Sequence, residues 1–529
     1  MRIQSTAGGL AIACTLAVAC AGGGASTGFG EAGADASRPT RDAARSSKDA
    51  AKPSHDAAAS SPDAGKDAVT SADSSHSGDG KAKDAKADAH DGAGSGSGGH
   101  DGSAKDAHAD ADASGKATDA SGADAADTGG GSTPTFSSGC DGGHTALTGT
   151  VYAPNGTDPI PNVRVYAASA INAYPASFCD KCSFPIDPAF ASTTSAVDGT
   201  FTLDLDQVPA SPTIEFTIQI GRFRKHTSVA VTACQSLAVS PSTAAVLPGN
   251  SAAGDIPKIV VSSGNVDHLD AVLTALGITE YDCYEGRKTA GTSTATCQQV
   301  AGKTIADVLE TSADIGAYNM AFLSCAPGAY ASFAAGHPQM TANTQAWVSG
   351  GGRLFVTDTA YDYVAQAFPA AVTWQGPSTT TPQPVDGANV GCAPAGADGG
   401  SAHAVEYPAT IDDPSLGAWL TMQSLAKGSP PVASIQGYYE PWSAIASLAS
   451  TTGLIVDGTM PIDPTYSSTN CKAPTPTDVP LTTEFDVSTC GRVVFSSFHT
   501  YTGSGASSAA ANEKIMEYLI FAAAECDNG

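Results

Sequence analysis

The reading of the fold turns on residues 351–364, GGRLFVTDTAYDYV. The glycines close one helix, Arg353 to Thr357 make a run of strand length centred on Leu354, Phe355 and Val356, and Thr357-Asp358-Thr359-Ala360 is a sharp turn. Tyr361 and Asp362 then open another helix. Strand, tight turn and helix form the repeating unit of α/β proteins. In several α/β enzyme families that turn carries the nucleophile, and here the tip offers only Asp358 and Thr359.

Working outward, DIPKIVVSSG (255–264) is a buried strand that ends in small residues. It leads into a helix with Leu269, Val272, Leu273 and Leu276 on one face and Gly277 as its stop. YNMAFLSCAPG (318–328) is a strand running into a loop, and MTANTQAWVSGGG (340–352) is a helix with a glycine cap. A long irregular insertion is expected near 377–431. After it come strands in TGLIVDG and GRVVFSSFHT and a closing helix with Ile515, Met516, Leu519 and Ile520 buried. The alternation predicts a mainly parallel, doubly wound sheet over 254–529. No GxGxxG or P-loop follows any strand, so no nucleotide cofactor is expected.

The element order resembles the class I glutamine amidotransferase-like, flavodoxin-like fold. The resemblance implies that FLSCAPG (322–328) is a Gly-rich oxyanion loop and FVTDTAY (355–361) the nucleophile elbow. SFHT (497–500) would deliver His499 as the base. That chemistry needs a thiol to attack an amide carbonyl, a histidine to accept its proton and N–H groups for the oxyanion. Asp358 in the nucleophile slot cannot replace the thiol, so the elbow is empty in this reading. Cys325, at a neighbouring strand end, could pair with His499 instead. Ser263, Asp267, Tyr361 and Asp362 are candidates for the rim of the same site. Asp267, Asp358 and Asp362 invite a hard-cation reading, against which Asp267 and Asp358 fit helix N-caps. No metal site is assigned.

Upstream, residues 138–253 are short alternating strands at turn-like spacing, with Asp198-Gly199 a hairpin turn. The pattern GTV…PNVRVYA…VDGTFTL resembles the carboxypeptidase regulatory-like, or prealbumin-like, domain, which implies a non-catalytic β-sandwich. Arg222, Arg224 and His226 fall on one strand face and Lys225 on the other; they are either a basic stripe or an ordinary solvated strand. Together the two regions resemble an uncharacterised family of secreted bacterial proteins that join such a domain to an α/β domain. No activity follows from that resemblance.

Residues 1–20 begin with Arg2 and an apolar run too short to span a bilayer, followed by LAVACAGGG. This resembles a bacterial lipoprotein cleavage site, with Cys20 the lipidated residue; ordinary cleavage and secretion is the alternative. Residues 21–137 are rich in Ala, Asp, Ser, Gly, Lys and His, with too little apolar surface to order themselves. As a coil, about 110 residues span on the order of 60 Å. The histidines there stand too far apart for a metal site. A net charge of −27 argues against nucleic acid.

Thirteen cysteines, less Cys14 in the signal and Cys20 on lipid, leave an odd number. Cys140 with Cys234 and Cys283 with Cys297 are candidate disulfides. Cys179 and Cys182 (CxxC) suit a local disulfide better than a redox pair or half a zinc site, and Cys325 is the candidate odd thiol.

The expectation is therefore multidomain: a disordered tether, an all-β prealbumin-like sandwich and a flavodoxin-like doubly wound α/β domain. The expected role is non-catalytic, binding an envelope glycan, peptide or protein at the cell surface, anchored in the outer membrane. The alternatives are a thiol-dependent hydrolase using Cys325 and His499, and a metal-dependent surface binder.

Overall fold

The computed structural model describes residues 133–174, 187–241, 244–264, 267–287, 297–326, 328–376, 390–391, 406–436, 438, 442–466, 472, 474–498, 500 and 510–522. Cys20, the segment 21–132, Cys179, Cys182 and His499 lie outside them. The described residues form a mixed, β-rich fold with sheets of three, four, eleven and two strands and few helices. No helix among them is long and apolar enough to cross a membrane.

The first two sheets hold the short alternating strands. Thr200–Asp204, Ala146–Thr150 and Ser236–Ala238 make the sheet of three. Ala189–Thr194, Arg164–Ala168, Thr213–Ile220 and Phe223–Ala230 make the sheet of four. Thr200–Asp204 shows the period of two in its burial, with Phe201 and Leu203 inward. Phe201 meets Phe216 of the other sheet at 5.7 Å between ring centroids, so the inner faces share one core. Cys140 and Cys234 are bonded, joining the two ends of this region.

Strands Ile259–Ser263, Met320–Leu323, Arg353–Thr357 and Gly491–Ser496 lie together in the centre of the eleven-stranded sheet. Their neighbours in this group are parallel. Each is buried from end to end, as a sheet covered on both faces requires. Successive residues serve opposite layers. Val261, Phe322, Phe355 and Val494 join the core under helices Leu269–Ala275 and Ala510–Ala522. Val260, Leu323, Val356 and Phe495 join a second core with helices Ile305–Glu310, Met340–Ser349 and Asp362–Ala367.

The sheet is not mainly parallel. Beyond Gly491–Ser496 every pairing is antiparallel, through Thr475–Val487, Gly453–Ile462, Tyr407–Ile411, Val432–Ile435 and Ala426–Lys427. The expected irregular insertion is also corrected in its described part. Residues 406–431 contain the strand Tyr407–Ile411 and the helix Pro414–Met422, whose cap Asp413 accepts from Leu416 N–H at 2.6 Å. Pro414 at the first helical position suits that start, because its missing N–H would be unsatisfied there anyway.

The sandwich is seated on the α/β layers through specific polar contacts. Trp419 Nε1 donates to Pro159 O at 2.8 Å, and Asn155 Nδ2 donates to Ala275 O at 3.1 Å. Phe223 packs edge-on to Phe521. Arg224 settles the basic-stripe question for its own position. It is 2 % exposed, with its guanidinium on both Asp187 oxygens at 3.1 and 3.2 Å and on Asp255 Oδ2 at 2.8 and 2.9 Å. It is an internal charge, already neutralised, and not part of a surface that grips an acidic polymer.

Candidate functional site

The parallel strands bring their carboxyl ends to one edge of the sheet, where open α/β proteins bind ligands. Thr357 stands opposite Ser496 there, and Leu323 stands between Ser262 and Val356. Cys325 follows the second strand and Asp358 follows the third. Both are buried, and Asp358 has φ +42°, a left-handed conformation that costs a non-glycine residue about 1–3 kcal/mol. The backbone therefore makes the sharp elbow that the sequence predicts, with an aspartate at its tip.

These residues form one closed hydrogen-bonded cluster. Asp358 Oδ1 accepts from Ser443 N–H at 2.7 Å, and its Oδ2 takes the Cys325 thiol at 3.4 Å. Cys325 Sγ also lies 2.9 Å from Thr359 Oγ1. Thr357 Oγ1 accepts from Cys325 N–H at 3.0 Å and donates to Asp267 Oδ2. Asp267 Oδ1 accepts from His268 N–H at 2.9 Å, from Thr500 N–H at 3.1 Å and from Thr500 Oγ1 at 3.0 Å. Neither aspartate caps a helix as expected: the helix at Leu269 starts from His268 without a side-chain cap, and Asp358 makes no cap bond.

Burial dominates the electrostatics. It pushes the Asp358 carboxyl well above the usual carboxylate range, reinforced by the Asp267 charge and opposed by the Ser443 N–H. Burial likewise raises Asp267, although the Thr357 and Thr500 hydroxyls pull the other way. The Cys325 thiol is driven well above its ordinary value, first by burial and then by Asp358. Among the described residues Cys325 is the free cysteine, whereas Cys283 and Cys297 are bonded and Cys490 is in a disulfide.

Two N–H groups of the loop expected to supply an oxyanion hole are already bonded inside the protein. Ser324 N–H is bonded to Ser262 Oγ at 3.0 Å and Cys325 N–H to Thr357 Oγ1 at 3.0 Å. A developing oxyanion needs free, preorganised N–H groups. A thiol held in its neutral form beside a buried carboxyl is a poor nucleophile, because attack needs the thiolate.

The remaining rim candidates fall elsewhere. Tyr361 is buried in the second core, its ring 4.9 Å from Trp374, which in turn meets Phe495. Asp362 is buried, and its charge bears on the nearby phenols Tyr330 and Tyr363. Ser263 donates to Tyr284 O at 3.1 Å and accepts from Gln299 Nε2 at 2.6 Å, in a separate buried group with Glu285. Among the described residues no group of three or more His, Cys, Asp or Glu side chains is arranged to hold a metal ion. Sequence reasoning placed Thr359 beside Asp358 at the tip of the turn but missed Thr357, Ser443 and Thr500, which complete the cluster. Of these only Thr357 carried a local signal, as a neighbour of the elbow.

No protein-family model matches this chain, and no curated protein matches it. Among solved structures it is similar to Cytoplasmic Protein STM3548 from Salmonella typhimurium. That match has a TM-score of 0.29 and 8 % identity, over 51 % of this chain and 98 % of that one. A likeness at that level defines neither a fold family nor a function for this chain.

Proposed function

We propose that this chain is a non-catalytic cell-surface lipoprotein with a binding or structural role. In this reading a prealbumin-like sandwich and an amidotransferase-like, flavodoxin-like domain are carried on a tether anchored through Cys20. The observation that supports it most lies in the expected oxyanion loop, where the N–H groups of Ser324 and Cys325 both go to internal hydroxyls. The buried elbow Asp358 and the raised Cys325 thiol argue in the same direction. The cluster then acts as a polar bolt that fixes four strand ends, and ligand recognition falls to other surfaces. The sandwich and tether suit an envelope glycan, peptide or protein as partner.

The test is differential alkylation of the folded, exported protein over a pH series, read by peptide mass spectrometry. Cys325 is expected to stay unmodified until the chain is denatured. Alkylation of the folded protein well below about pH 8 requires a stabilised thiolate and would transfer the case to a thiol hydrolase using Cys325 and His499. The metal-dependent alternative predicts a lower melting temperature on chelation, and the bolt predicts none.

A further inference from the structure

Outside the strand-end cluster, one group of reactive side chains bridges the sandwich and the closing helix. Lys514 Nζ lies 2.7 Å from Asp158 Oδ1 and 2.5 Å from Glu517 Oε2. Asp158 sits on a sandwich loop, and the lysine and glutamate sit one turn apart on the helix Ala510–Ala522. Asp158 Oδ2 is held by Asn155 Nδ2 at 2.5 Å, which fixes the plane of the carboxyl. Trp419 holds the next residue, Pro159, through its carbonyl and packs on Tyr518. The three charged side chains are mostly withdrawn from water, at 22 %, 16 % and 6 % exposure for Lys514, Asp158 and Glu517.

We propose that Lys514 and Asp158 condense to an intramolecular amide, with Glu517 as the proton carrier. The reactants are an ammonium and a carboxylate, and the products are one amide and one water. Glu517 takes a proton from the Lys514 ammonium, and the freed Nζ lone pair attacks Asp158 Cγ. The Cγ–Nζ bond forms and the bond from Cγ to one Asp158 oxygen breaks. That oxygen leaves as water with the two protons that the nitrogen gives up, both relayed by Glu517, which ends as it began. No oxidant, reductant or activating group is consumed. The 2.7 Å contact holds Nζ beside the carboxyl it would attack, so the reaction is intramolecular.

Of the relay's two ends, Glu517 is suited to its part, while Lys514 holds its proton firmly and makes the first transfer the uphill step. Burial pushes the Glu517 carboxyl up to about 7, against the pull of Lys514, so it can both hold and release a proton near neutrality. Burial pulls the Lys514 ammonium down, but its bonds to Asp158 and Glu517 outweigh that and leave it raised. The resting pair is therefore ionic, and proton transfer to Glu517 is the first step. The amide would tie residue 158 to residue 514 and lock the sandwich onto the α/β layers. The proposal does not depend on the functional reading above, since neither residue belongs to the strand-end cluster.

The experiment is peptide mapping of the full exported chain, reduced, denatured and digested. The expected product is a branched peptide joining the Asp158 and Lys514 segments, lighter than their sum by one water. Because residue 159 is proline, Asp158 has no following N–H with which to lose water as a succinimide, so the branched species is diagnostic. Lys514→Arg is expected to abolish it. Glu517→Gln, checked for folding by its circular dichroism, is expected to slow it at least tenfold while leaving both reacting groups in place. Folded wild-type protein that yields only the two linear peptides overturns the proposal. So does a branched peptide that forms at an unchanged rate in folded Glu517→Gln, as far as the relay is concerned.

Discussion

Replacing Asp358 by asparagine tests whether the elbow carboxyl is neutral in the fold. Burial, with Asp267 beside it, holds the folded pKa well above the usual value. Such a group favours the folded state as the acid. Its contribution is complete below the unfolded pKa, about 3.9, and is lost as pH rises towards the folded value. For one group the loss runs at about 1.4 kcal/mol per pH unit. Asparagine has nearly the same shape, keeps an oxygen for the Ser443 N–H and carries no titrating proton. Asp358→Asn should therefore match the wild type near pH 4 and then gain on it by up to about 1.4 kcal/mol per pH unit until the wild-type group titrates. Asp267 is raised for the same reason, so both proteins retain a shallower slope of the same sign. The assay is urea denaturation at closely spaced pH values, with the unfolding free energy plotted for both chains. If the asparagine variant lost more than about 2 kcal/mol at neutral pH with the slope unchanged, the carboxylate would be ionised and held by charge-assisted bonds. The neutral elbow would then be wrong.

Arg224→Met should cost about 3–5 kcal/mol in the same denaturation assay, because it strands the buried Asp187 carboxylate without its cation. A loss under about 1 kcal/mol would mean that the pair is solvated, as surface pairs are. Gly491→Ala should destabilise by about 3 kcal/mol or more, since the new methyl would sit 1.7 Å from the Val348 carbonyl oxygen. Gly350→Ala is its control: the nearest atoms are 3.4 Å away and φ is −83°, so it should be neutral or slightly stabilising. A melting curve for each variant separates the two outcomes.

What the sequence revealed, and what it hid, divides along the range of the interactions. The parallel strands were legible because each is an apolar run closed by small residues, as in Ile259–Ser263 and Arg353–Thr357. The disulfide Cys283–Cys297 was legible because only 14 residues separate its ends. The long strand Thr475–Val487 was not, because Pro476 and Pro480 interrupt its pattern with residues that central strands disfavour. In the sheet Pro480 faces Asp457 of a strand whose register shifts next to it, a place where a missing ladder bond is tolerated. The antiparallel half of the sheet depends on that strand, so missing it turned a mixed sheet into an expected parallel one. The helix Pro414–Met422 was lost in the same way, inside a stretch read as irregular for its prolines and glycines.

The elbow shows a second limit. Its backbone was predictable from three apolar residues and a turn, but the fate of Asp358 depends on Ser443, 85 residues away, and on Cys325, 33 residues before it. Asp267 meets Thr500 across 233 residues. No local pattern encodes such partners, so the same aspartates read equally well as caps, metal ligands or catalytic acids. Burial decides among these uses. Metal ligation and nucleophilic attack both need the anion, and the anion is the form that a fully enclosed site disfavours. The cluster gives each aspartate and the Ser324 and Cys325 N–H groups a partner inside the protein. The strained elbow persists because the strand ends are bolted around it, and the non-catalytic role proposed above rests on that bolting.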